Sequence, residues 1–119
     1  MTRINVGFPP KKLNSKHLLA EAREIKRIPN CISRGRFNLK STPKEFTLGK
    51  GHVAFFYDKL LYLKNRYDEI YQECKNRNFN VQYWGSAWDN VPKELMNDWS
   101  STEKDNKLIE DRIAEKLKG

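Results

Sequence analysis

The chain has few of the residues from which sites are most often built. Two cysteines, Cys31 and Cys74, and two histidines, His17 and His52, are scattered over 119 residues. That spacing makes no zinc site, so no metal is expected, and so few thiols fit a reducing compartment. No apolar run approaches the roughly 20 residues of a membrane span, and the N-terminus lacks the apolar core of a signal peptide. A membrane partner is therefore not expected. There is no glycine-rich phosphate loop and no G-x-S-x-G, which excludes the common nucleotide-binding and serine-hydrolase patterns. Repeats and low-complexity tracts are absent. No segment alternates at period two, so a sheet-based fold is not expected.

Acidic residues are scarce in one half only. Residues 1–50 carry 12 Lys and Arg but just three acids, Glu21, Glu24 and Glu45, a net charge of +9. The remaining residues hold 11 basic and 12 acidic side chains, so the whole +8 excess sits at the N-terminal end. Cations clustered in this way are the footprint of a phosphate-binding surface. Solubility alone, an acidic membrane surface or an acidic protein explains such a cluster less directly.

What remains is helical. Residues 1–13 read as an extended arm, broken by Gly7, Pro9 and Pro10. Asn14 or Ser15 can cap a helix running to about Ile28, ahead of Pro29. On it Leu18, Leu19, Ala22, Ile25 and Ile28 share one side, while Lys16, His17, Ala20, Arg23, Glu24 and Arg27 share a stripe about 120° wide on the other. Residues 30–50 look irregular. A second helix is predicted from about Gly51 to Asn76, with Val53, Phe56, Leu60, Leu63, Tyr67, Ile70 and Cys74 alternating spacings of three and four, and Asn78 closing it. Tyr83, Trp84 and Trp88 cluster in a loop over 79–92, and Pro92 can open a short helix. The last helix covers roughly 102–118 through Leu108, Ile109, Arg112, Ile113 and Leu117. The expected fold is all-α: a single domain over 1–119, with three main helices around one core. The apolar fraction of 38%, with 12% aromatic residues, suffices for that core.

Two features carry possible chemistry. Gly49-Lys50-Gly51-His52 at a helix start can turn backbone N–H groups toward a phosphate, or can simply enter the helix with His52 packed. Thr2 follows Met1, and a methionine before so small a residue is usually removed. The exposed α-amine would have a pKa of about 7.7–8.0 in a peptide, lowered by Arg3 and the cationic face. A neutral amine of this kind forms a Schiff base with a carbon at the aldehyde level. Glu24 lies among the cations, where a carboxylate is ordinarily a solvated salt-bridge member.

Three segments then match a known pattern in order: MTRIN (1–5), HLLAEAREIKR (17–27) and FTLGKGHVAFFYDKL (46–60). Weaker similarity continues through ECKNRNFNV (73–81), VPKEL (91–95) and the last helix around Arg112. The chain resembles the phage-type pyrimidine-dimer DNA glycosylase/AP lyase family over nearly its whole length, with gaps at 6–14 and 30–44. The resemblance implies a compact three-helix protein whose N-terminal arm threads between helices. It implies that the Thr2 amine attacks C1′ of the damaged nucleotide, that the base leaves as an imine forms, and that β-elimination cuts the strand. Glu24 would be the essential carboxylate. Arg3, Arg23 and Arg27 would hold phosphates and the sugar region, with His17 against the backbone nearby; beside what the resemblance implies, Lys16 in the cationic stripe and Lys50 and His52 at the 49–52 turn are expected to contact DNA. The implied partner is double-stranded DNA with a damaged or modified base, bound by a monomer without cofactor or metal. The implied location is the cytoplasm, that of a bacterial host if the chain is phage-encoded. Lys16 stands where the family has glutamine, Ala22 where it has an aromatic, and the family's aromatic-basic C-terminal tail is missing. The excised base is thus expected to be a cyclobutane pyrimidine dimer or another damaged or modified base. The alternatives are a non-catalytic DNA-binding module on the same scaffold and a binder of structured RNA.

Overall fold

A computed structural model describes residues 2–118. Its centre is the longest helix, α4 (Leu60–Asn76), whose inner face buries Leu60, Leu63, Tyr67, Ile70 and Cys74. The predicted three-and-four spacing is thus the buried stripe. The helix ends where Asn78 takes a left-handed φ of 62°. The Phe79 N–H then reaches the Cys74 carbonyl at 3.0 Å and the Asn78 N–H that of Lys75 at 2.9 Å. This pair of bonds satisfies two of the carbonyls a helix end leaves open.

α1 (Ser15–Glu24) packs across α4. It starts at Asn14, whose side chain accepts the His17 N–H at 2.8 Å, which occupies one of the four unpaired first-turn donors. The single helix expected to run to Ile28 is two. α1 stops before Ile25, and α2 (Arg27–Ser33) follows with Pro29 inside its first turn. A proline is tolerated there because its missing N–H would have had no intrahelical acceptor. Pro29 therefore opens a helix where it was expected to follow one.

The second predicted helix also divides. α3 (His52–Phe55) is a single turn ahead of α4. Distant and local polar groups take the carbonyls at the break: the Lys59 ammonium donates to Phe55 O at 3.0 Å, and the Asn97 amide to Asp58 O at 2.9 Å. The apolar stripe survives the break, since Phe56 and Leu60 are both buried. The Gly85–Trp88 and Lys93–Leu95 segments are single 3-10 turns. α5 (Glu103–Lys118) closes the fold. Thr102 and Asp105 exchange backbone-to-side-chain bonds at its start, at 2.9 and 3.2 Å, a reciprocal cap. Only Ile109 and Ile113 of its predicted stripe are buried, whereas Leu108 and Leu117 are exposed.

The architecture is all-α, with no strand among the described residues, but with four multi-turn helices and one short one in place of three. Its N-terminal segment precedes the first helical turn and buries Ile4, Asn5 and Val6. At Gly7 the chain turns with a φ of 70°, and a Cβ there would run into the Asn106 side chain of α5. Only glycine meets both demands. No described helix is long and apolar enough to cross a membrane.

Candidate nucleic-acid cleft

Both acids of α1 face the arm, and the structure gives them opposite fates. Glu21 is 1% exposed. Its carboxylate accepts from Arg66 Nε at 2.8 Å, Arg66 Nη2 at 3.1 Å and Asn5 Nδ2 at 2.7 Å. Arg66 also donates to the Phe8 carbonyl at 2.7 Å. Burial disfavours the guanidinium charge, but the Glu21 carboxylate outweighs it and holds Arg66 above its usual pKa. One buried ion pair therefore ties α1, α4 and two points of the arm. Neither residue stood out among the expected site residues. The signal was there: Glu21 follows Leu18 by three, and Arg66 lies between Leu63 and Ile70, so each puts a charge on an apolar face.

His52 completes the anchoring. It was expected to contact DNA, but it is buried, with Nδ1 bonded to the Thr47 carbonyl and Nε2 accepting the Ile4 N–H, both at 2.9 Å. Burial lowers its pKa, and Arg3 lowers it further against the Thr47 bond. The ring is therefore neutral, with its proton on Nδ1, and it positions the arm. Of the 49–52 turn, the His52 N–H is taken by Gly49 O at 3.1 Å, and the His52 ring is packed. Lys50 is exposed on that turn, away from the cleft.

The cleft itself measures about 420 Å3 and lies between the arm, α1 and α5. Arg3, Lys16, His17 and Glu24 line it, so four expected site residues come together. Glu24 is 13% exposed and pairs with Arg23 at a loose 3.6 Å. Arg23 itself turns toward a neighbouring groove, which Ala22 also lines. Arg27 is exposed and lines neither space, because the break at 25–26 ends the helical face that would have aligned it with Glu24. Thr2 is half-buried beside Arg3 on the arm and is not one of the lining residues. The expected removal of Met1 concerns a residue outside those described.

α5 adds two cations that were not among the expected site residues, Arg112 and Lys116. They are spaced i, i+4; Arg112 interrupts an apolar stripe, and the similarity to the family continues around it. Burial and the facing Arg112 push the Arg3 pKa down, while Glu24 opposes this. Arg112 Nε is buried without a hydrogen-bond partner among the described residues. Two guanidiniums held together beside one carboxylate attract a polyanion. No group of three or more His, Cys, Asp or Glu among the described residues is placed to hold a metal ion.

The aromatic cluster splits. Trp88 is 5% exposed and packs on Tyr67, with ring centroids 5.3 Å apart, whereas Trp84 is 43% exposed.

Fold and cleft together define a small all-helical protein with a cation-lined cleft around the Glu24 carboxylate. A family model described as pyrimidine dimer DNA glycosylase matches residues 1–83, and the chain belongs to that family. Membership assigns it a DNA glycosylase role in repair, with DNA as substrate.

Proposed function

We propose that the chain both releases a damaged pyrimidine and cuts the strand, through an imine formed by the N-terminal amine. With Met1 removed, the Thr2 amine adds to C1′ of the damaged nucleotide. The C1′–base bond breaks and the base nitrogen takes a proton; a single damaged base then leaves, whereas one half of a cyclobutane dimer stays joined to its neighbour. The sugar ring opens as O4′ takes a proton, and nitrogen and C1′ become a protonated imine. Loss of a C2′ proton then expels the 3′ phosphate by β-elimination. Hydrolysis of the imine returns the amine.

Glu24 is the group suited to move those protons and to stabilise the cationic intermediate. The observation that carries this reading is the contrast between the two acids of α1. Glu21 has its charge met by the buried Arg66, whereas Glu24 lines the cleft between the cations Arg23 and Arg3. Arg3, Lys16, Arg112 and Lys116 supply phosphate contacts around it. Duplex DNA carrying a cyclobutane dimer or another damaged base is the substrate, made accessible by kinking or nucleotide extrusion at a few kcal/mol.

Borohydride reduction during reaction with abasic-site duplex tests the imine. Met-free protein is expected to give a covalent protein–DNA adduct, and Glu24→Gln to bind the duplex without cutting it. Absence of an adduct from Met-free protein rejects the imine mechanism and leaves a DNA-binding module without lyase chemistry.

A further inference from the structure

We propose that Trp84 is a base-stacking residue, whose indole face receives one unstacked nucleobase of the DNA held beside Glu24. This rests on the DNA glycosylase reading.

Trp84 is one of the few large rings left in solvent, and the surrounding structure fixes it there. Its backbone N–H donates to the Tyr67 hydroxyl at 2.8 Å. Its neighbour Tyr83 folds over Gly85, where any Cβ would collide with the tyrosine ring. Tyr83 is held on that side by Lys64 Nζ, 2.9 Å from its hydroxyl, and by Asp68. The Lys26 ammonium lies over the Trp84 indole, 4.7 Å from its ring centroid. That ring bounds a groove of about 160 Å3 with Tyr67, Tyr71, Arg23 and Lys26. The space suits one flat heterocycle better than a base pair.

The charge fits the same occupant. Arg23 is 65% exposed at the groove and also ion-pairs with Glu24, which lines the catalytic cleft. Groove and cleft therefore meet at consecutive residues of α1. A strand whose phosphates neutralise Arg23 and Lys26 brings its bases to the indole. Aromatic rings beside backbone-binding cations are the usual platform for unpaired bases. The family match ends at residue 83, so Trp84 lies beyond it.

The test uses the unmodified protein, Trp84→Ala and Trp84→Phe. The DNA is a duplex with a non-cleavable tetrahydrofuran abasic analogue, with 5-iodouracil walked through positions on both strands around it. Stacking predicts that Trp84→Ala weakens binding roughly 5- to 150-fold, that Trp84→Phe stays within about threefold, and that ultraviolet light cross-links one 5-iodouracil to the peptide containing Trp84. Binding by Trp84→Ala within twofold of the parent, or cross-links confined to other peptides, overturns the proposal. If Trp84→Ala melts early, the cross-link in the unmodified protein decides. Because this DNA does not react, the readouts are independent of the chemistry. Failure of the glycosylase reading would appear separately, as no free pyrimidine after photoreversal of dimer duplex that the unmodified protein has acted on.

Discussion

Replacing Glu21 with glutamine removes one charge and almost no volume, so it isolates what the buried ion pair contributes. In the parent protein three donors converge on the carboxylate, and the Arg66 guanidinium has Phe8 O as its other acceptor. The amide keeps one oxygen for Asn5 or Arg66 but places its NH2 against the remaining donors. Arg66 then stays buried without a counter-charge. Breaking such a pair from one side costs about 3–5 kcal/mol, a large part of the roughly 5–15 kcal/mol that holds a domain together. For a chain of this size that lowers Tm by at least about 10 °C. Far-UV circular dichroism melts at pH 7 and urea titrations read the effect. Glu21→Leu combined with Arg66→Met removes both charges and is expected to be more stable than either single variant, since no buried charge is left alone. A Tm for Glu21→Gln within about 2 °C of the parent would refute the assignment of Glu21–Arg66 as the structural pair. So would a double variant as unstable as the sum of the two singles.

Two further outcomes follow from the arm and the cleft. The folded-state pKa of His52 is lowered, so its contribution is fully present above the unfolded value near 6.5 and is lost as pH falls through the lower folded value. Between pH 7.5 and 5 the parent is expected to lose more Tm than His52→Gln, which lacks this titration; equal losses would argue against His52 as the arm anchor. Arg112→Ala is expected to weaken binding of duplex DNA at low salt and to reduce the slope of log affinity against log salt by about one. An unchanged slope would remove α5 from the phosphate-binding surface.

The helical class, the basic N-terminal half and most of the buried residues were legible because they are local properties. Apolar spacing marks the inner face of α4 whatever it packs against, and Leu18 and Ile25 are buried as their spacing predicts. Asn14 and Asn78 terminate helices through bonds that span only a few residues. Helix continuity was less legible. The α3–α4 break depends on Asn97, 39 residues from the carbonyl it binds. The α1–α2 break depends on a proline that serves equally after a helix or in its first turn.

Sequence by itself determined that the excess of cations lies in residues 1–50, that Glu24 lies among them, and that the chain resembles a DNA glycosylase family. Tertiary structure alone decided that Glu21 is buried against Arg66 while Glu24 lines the cleft, that His52 is buried against the arm, that Arg112 and Lys116 line the cleft, and that Trp88 is core while Trp84 meets solvent. The physical reason is range. A helix face is set by neighbours three and four positions away, whereas a charge acquires its role from its partner. Glu21 and Arg66 are separated by 45 residues, Ile4 and His52 by 48.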